Sequence, residues 1–188
     1  PHLPSLENLL ANFETLEKTE ILAWLDKFCQ FNTYEISIPG LRDPNLVPSN
    51  KTGMIVSMLM DYELVQKIQN VGWYEEFKTE VEDRIIQVLS NSIYPKLASQ
   101  IELRFSSTPK TIEHHSKSSG GAITGWSFET STPVVNNLLK IAKSVKTPLP
   151  HVMQAGQWVY SPAGIPTAIL TGWLAAQAII KNKKKVLR

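Results

Sequence analysis

Hydrophobic positions along this chain switch period several times, and each switch marks a predicted element. From residue 5 to 29, Leu6, Leu9, Leu10, Phe13 and Leu16 recur at three- and four-residue spacing, continued by Ile21, Leu22, Leu25 and Phe28. That spacing predicts one amphipathic helix with Ser5 as its N-cap. Tyr34, Ile36 and Ile38 then alternate with Glu35 and Ser37, the period of a half-buried strand, and Pro39-Gly40 closes it. After a turn-rich loop, the apolar run Met54 to Met60 predicts a second strand, antiparallel to the first. Helical spacing returns over residues 61 to 98, interrupted at Val71-Gly72-Trp73. Glu75, Glu76, Glu80, Glu82 and Asp83 fall on the outer faces there, as solvated side chains rather than an acid–base pair. Ile101, Leu103 and Phe105 alternate again and predict a third strand ending at Ser107.

The second half of the chain is more broken. Thr108-Pro109 predicts a short helix with Thr108 as N-cap and Pro109 at its first position, followed by a flexible stretch from Ser116 to Gly121. A helix from about Val134 to Val145, a short strand over His151 to Ala155 and a final helix from Ile165 to Ile180 complete the pattern. The class is α+β: a mostly antiparallel sheet with helices packed on it.

Composition narrows the function classes. With 43% hydrophobic residues in 188, the chain can bury a core. Nineteen basic against seventeen acidic residues give a net charge of +2, too little for a nucleic-acid binder. The excess is local, in Lys181, Lys183, Lys184, Lys185 and Arg188. A single cysteine, Cys29, precludes an internal disulfide and fits a buried helical position in a reducing, cytoplasmic setting. The chain begins at Pro1, and residues 2 to 10 carry no basic-then-apolar leader. His114 and His115 stand side by side without a third ligand at metal-binding spacing.

The densest chemistry lies between Val152 and Ile180. A short apolar segment leads through Ala155-Gly156-Gln157 and an aromatic loop to Pro162-Ala163-Gly164-Ile165-Pro166, and then a helix. Ala168, Gly172, Ala175 and Ala176 predict a small-residue face suited to close packing. At the helix entrance, bare backbone N–H groups and the positive dipole end suit an anionic or electron-rich ligand. The helix is too short to span a bilayer, which takes about 20 apolar residues.

These motifs resemble those of flavoproteins of the phytoene-desaturase type: carotenoid desaturases, carotenoid isomerases and retinol saturases, and more loosely amine-oxidase-like enzymes. Ala155-Gly156-Gln157, Pro162 to Pro166 and Gly172-Trp173-Leu174-Ala175-Ala176 resemble the C-terminal flavin-binding segment of that family. Asp43-Pro44-Asn45-Leu46-Val47-Pro48 resembles its Asp-Pro-x-x-Ala-Pro. Thr108-Pro109 with Gly120-Gly121-Ala122-Ile123-Thr124-Gly125 resembles its Thr-Pro helix and glycine turn. The three motifs keep the family's order and cover most of residues 33 to 180.

The resemblance implies a substrate-domain portion over 1–150, and over 151–188 the C-terminal strand and helix of an FAD-binding domain with a basic tail. Gly156 and Gln157 would lie beside the ribityl-pyrophosphate of FAD. Gly164, Ile165, Pro166 and Thr167 would sit under the isoalloxazine. Gly120 to Gly125 would wall the flavin from the substrate, with His114, His115, Gly120 and Gly121 lining the substrate pocket. The implied activity is FAD-dependent redox chemistry on an apolar polyene or isoprenoid-like small molecule. Two departures limit it. Gln157 stands where the family carries Asp or Glu, and the chain has no G-x-G-x-x-G fingerprint, so the N-terminal Rossmann part is absent and this chain alone is expected to be inactive. The competing expectation is a non-catalytic interaction or membrane-surface module, its apolar final helix and lysines set on anionic lipid.

Overall fold

A computed structural model describes residues 2–123, 125, 126, 131 and 133–186, with side chains as far as 182. The chain divides into two compact units, Pro1–Gly121 and Ala122–Arg188. The class is α+β, 55% helical with a small two-stranded antiparallel sheet.

In the first unit the predicted 5–29 helix is two helices. α1 (Leu6–Asn12) runs into a 3-10 turn (Phe13–Thr15), and α2 (Lys18–Phe31) starts afresh. The break has local causes. Thr15 Oγ1 donates to the Asn12 carbonyl at 2.8 Å, and Leu16 is extended. Glu17 and Glu20 then form a reciprocal capping box, Glu20 Oε2 accepting from the Glu17 N–H at 2.8 Å. Ser5 caps α1 as expected, accepting from the Asn8 N–H.

β1 (Glu35–Ser37) and β2 (Ile55–Ser57) pair antiparallel, with Ile36 opposite Val56. α3 (Tyr62–Asn70) and α4 (Tyr74–Ser90) follow, separated at the predicted Val71–Trp73 break; α5 (Leu97–Gln100) is one turn. Their shared core joins Ile21, Leu25 and Cys29 of α2 to Leu64, Val65 and Ile68 of α3 and Phe77 and Val81 of α4. The α2 residues recur every four positions, so one face is buried along its length. Arg84 of α4 ties the two longest helices of this unit together, its Nε donating to Asp26 at 2.6 Å.

The predicted third strand does not form. Residues 101–107 have no strand structure, and Leu103 and Phe105 are 83% and 84% exposed. Their alternation defines an apolar face, but no described strand lies alongside to cover it, so both side chains face solvent. The segment is held instead by ion pairs, Glu102 to Lys51 and Arg104 to Glu82 and Asp83. α6 (Pro109–Ser116) closes the unit, with the predicted Thr108 cap strengthened by a box with Thr111, and a 3-10 turn (Ser119–Gly121) follows.

The second unit departs further from its pattern. In place of a helix from Val134 to Val145, a 3-10 turn (Leu138–Lys140) precedes the one-turn α7 (Ile141–Ser144). Val135 is drawn into a bridge with Tyr160, and Asn137 turns its side chain onto the Leu139 N–H, so the helix starts late. The expected strand at 151–155 reduces to one bridge, Met153 to Lys146, because His151 occupies the left-handed region (φ 63°) of a turn. α8 (Ile165–Val186) is longer than its apolar stretch. Val145, Val159 and Ala175 form this unit's core, with Met153 and Leu174 against them. Among the described residues, no helix is long and apolar enough to cross a membrane.

Candidate functional site

The family-like motifs fall into two groups, one per unit. In the first unit the Thr-Pro and Gly-Gly halves of one motif meet. Gly121 (φ 64°) lies so near α6 that a Cβ there would stand 2.2 Å from the Pro109 carbonyl oxygen, so no larger residue fits. Glu113 fastens the same turn: its carboxylate accepts from Tyr62 Oη at 2.7 Å, Lys110 Nζ at 2.9 Å and the Gly120 N–H at 3.4 Å. The Lys110 ammonium, and then the Tyr62 hydroxyl, hold this carboxyl below the usual range.

His114 and His115 lie exposed in the last turn of α6, rings edge to face at 5.1 Å. With Lys78, Lys110 and Tyr74 they line an open cleft of about 570 Å³. Donors outnumber acceptors on its walls, since Glu75 and Glu113 are already paired to Lys78 and Lys110. Among the described residues, no three His, Cys, Asp or Glu side chains gather as a metal site.

The second unit brings Gly156, Gln157, Gly164, Ile165, Pro166 and Thr167 into one loop-to-helix junction. Gly156 (φ 111°) and Gly164 (φ 152°) both adopt backbone that L-residues rarely take. A Cβ on Gly156 would meet nothing within 4 Å, and one on Gly164 would meet only the Pro166 ring. Space is therefore open beside the Cα at both ends of the loop. The first helical bond of α8 runs from the Ala168 N–H to the Gly164 carbonyl, at 2.9 Å. The Ile165 and Thr167 N–H groups precede it, at the positive end of the helix. Thr167 turns its own hydroxyl back to the Gly164 carbonyl at 2.9 Å, and Ile165 is 78% exposed.

Two fastenings hold this junction, and neither was predicted. Thr171, fully buried in α8, accepts the Gly156 N–H at 3.1 Å and bonds the Ala168 carbonyl at 3.0 Å. A hydroxyl amid a run of small residues was the available signal. It also corrects the small-residue face, which is centred on Thr171 and Ala175: Gly172 has open space where its Cβ would be, and Ala176 is exposed. The second fastening is Gly125 (φ 92°), where a Cβ would lie 2.6 Å from Ala163 Cβ and 3.1 Å from the Gln157 carbonyl oxygen. Beside it Trp126 Nε1 donates to the Trp158 carbonyl at 2.8 Å. Thr124, in the same glycine motif, lies outside the described residues, as does Arg188 of the basic tail.

Two features of the junction would suit a flavin: the space open beside Gly156 and Gly164, and the helix N-terminus that starts at Ile165. Comparison with known protein families, with curated proteins and with solved structures finds no match to this chain.

Proposed function

We propose that this chain is part of an FAD-dependent oxidoreductase of the desaturase, saturase or isomerase type, acting on an apolar polyene or isoprenoid-like substrate. The observation that carries the proposal is the contact of Gly125 with Gln157 and Ala163, which joins two motifs 32 residues apart in one loop. In this reading the Gly156 and Gln157 backbone borders the ribityl-pyrophosphate chain, with the Gln157 amide accepting where a carboxylate is usual. Gly164 to Thr167 present the helix N-terminus to the electron-rich edge of the ring system, and Thr171 keeps the Gly156 turn in place. FAD, when bound, supplies the redox chemistry, moving a hydride equivalent to or from a C–C bond. The test is the visible absorption of the purified chain after incubation with FAD and gel filtration. Co-eluting flavin bands support the proposal; a chain that stays colourless at saturating FAD overturns it for this polypeptide.

One observation favours a non-catalytic interaction or membrane-surface module instead. α8 shows solvent an apolar stripe of Ile165, Ile169, Trp173 and Ile180, 49–78% exposed. Sedimentation of the colourless chain with anionic vesicles, and not with neutral ones, supports this second reading.

A further inference from the structure

Two indoles stand where the Gly125 turn meets the Gln157 loop. Trp126 follows Gly125 in sequence and Trp158 follows Gln157, so the residues that touch each carry a tryptophan beside them. The rings pack edge to face, centroids 5.7 Å apart and planes at 84°. The one polar atom of the Trp126 ring is engaged by the Trp158 carbonyl, so what this ring offers outward is π surface alone. Each residue is 38% exposed, unlike the covered side chains of this unit's core. An edge-to-face pair with a hydrogen bond is rigid, and rigid half-open indoles suit a flat partner, because little rotamer freedom is lost when one binds.

We propose that Trp126 and Trp158 form an aromatic wall of the junction against which the isoalloxazine ring of FAD packs. The inference rests on the flavin reading above and assigns it two contact residues that no motif supplied. The pairing is chemically matched: indole is electron-rich, oxidised isoalloxazine is electron-poor and planar, and the Trp126 N–H is already engaged. The Trp158 ring takes no part in closing the turn, whereas the Trp126 indole N–H bonds the main chain of residue 158, so Trp158→Phe alone tests the wall without loosening the turn.

Indole in contact with a flavin quenches its emission, and phenylalanine does not, so the wall has an optical readout independent of activity. The full chain is titrated with FAD, and retention on an ultrafilter is read alongside the emission of the retained flavin. The expected result is dark flavin on the unmodified chain. Trp126→Phe/Trp158→Phe should bind roughly two- to tenfold more weakly, the worth of an aromatic contact, and its retained flavin should emit. Trp158→Phe alone keeps the carbonyl that receives Trp126, so it preserves the turn and should recover part of the emission. Trp173→Phe, exposed on α8, should leave the flavin dark. FAD retained by the double variant with emission still quenched overturns the wall and leaves the flavin reading standing. Recovery in Trp173→Phe only does the same. If no form of the chain retains FAD, the flavin reading fails and takes the wall with it.

Discussion

Replacing Gly125 by alanine probes the contact on which the proposed site depends. The substitution has two separable effects. At φ 92° an L-residue is strained, by about 1–2 kcal/mol for backbone of left-handed sense. The new methyl would also stand 2.6 Å from Ala163 Cβ, about an ångström inside ordinary contact, and such overpacking costs about 1–3 kcal/mol. Together the loss should be about 2–5 kcal/mol, read from urea unfolding followed by tryptophan emission, to which Trp126 and Trp158 report directly. Ala163→Gly removes the second effect and leaves the first. The double variant should therefore be more stable than the sum of the two singles predicts, by about 1–2 kcal/mol, in the range expected for touching residues. Strict additivity, or a Gly125→Ala chain within about 0.5 kcal/mol of the parent, refutes the close approach and with it the joining of the two motifs.

Other outcomes follow from the same structure. Leu25→Ala, at a fully buried position, should lower stability by about 2–5 kcal/mol in urea, whereas Leu103→Ala should shift it by no more than about 0.5 kcal/mol because that side chain is in solvent. Thr171→Val keeps the shape but strands the Gly156 N–H, and should cost about 1–3 kcal/mol, with Thr171→Ser recovering most of it. Burial pushes the Cys29 thiol up to about 11, against which the Tyr34 contact works only in part. The folded chain therefore holds this proton where the unfolded one has lost it. Stability from this group is complete below pH 9 and falls as pH rises from 9 towards 11. Maleimide should accordingly label Cys29 at neutral pH only after denaturation.

The sequence alone determined those elements whose causes are local. The Thr108 cap with Pro109, the Ser5 cap and the break at Val71–Trp73 all came from residues within a few positions of one another, and all are present; the β1–β2 pair, about 20 residues apart in sequence, also forms where two apolar runs flank one loop. The loop-to-helix junction at Gly156–Thr167 was legible for the same reason, since glycine and proline set backbone geometry where they stand. Tertiary structure decided the rest. Alternation at Ile101–Phe105 specifies a face, but a strand needs a neighbour to hydrogen-bond with, and pattern cannot supply one. Periodicity through Phe13–Glu17 could not show that a capping box would start a second helix. Nor could spacing show that Gly125 would settle on Gln157 and Ala163, that Thr171 would take the Gly156 N–H, or that two tryptophans 32 residues apart would pair, because each is a long-range contact set by packing. The junction's backbone was written locally; what fastens it, and what faces outward from it, was not.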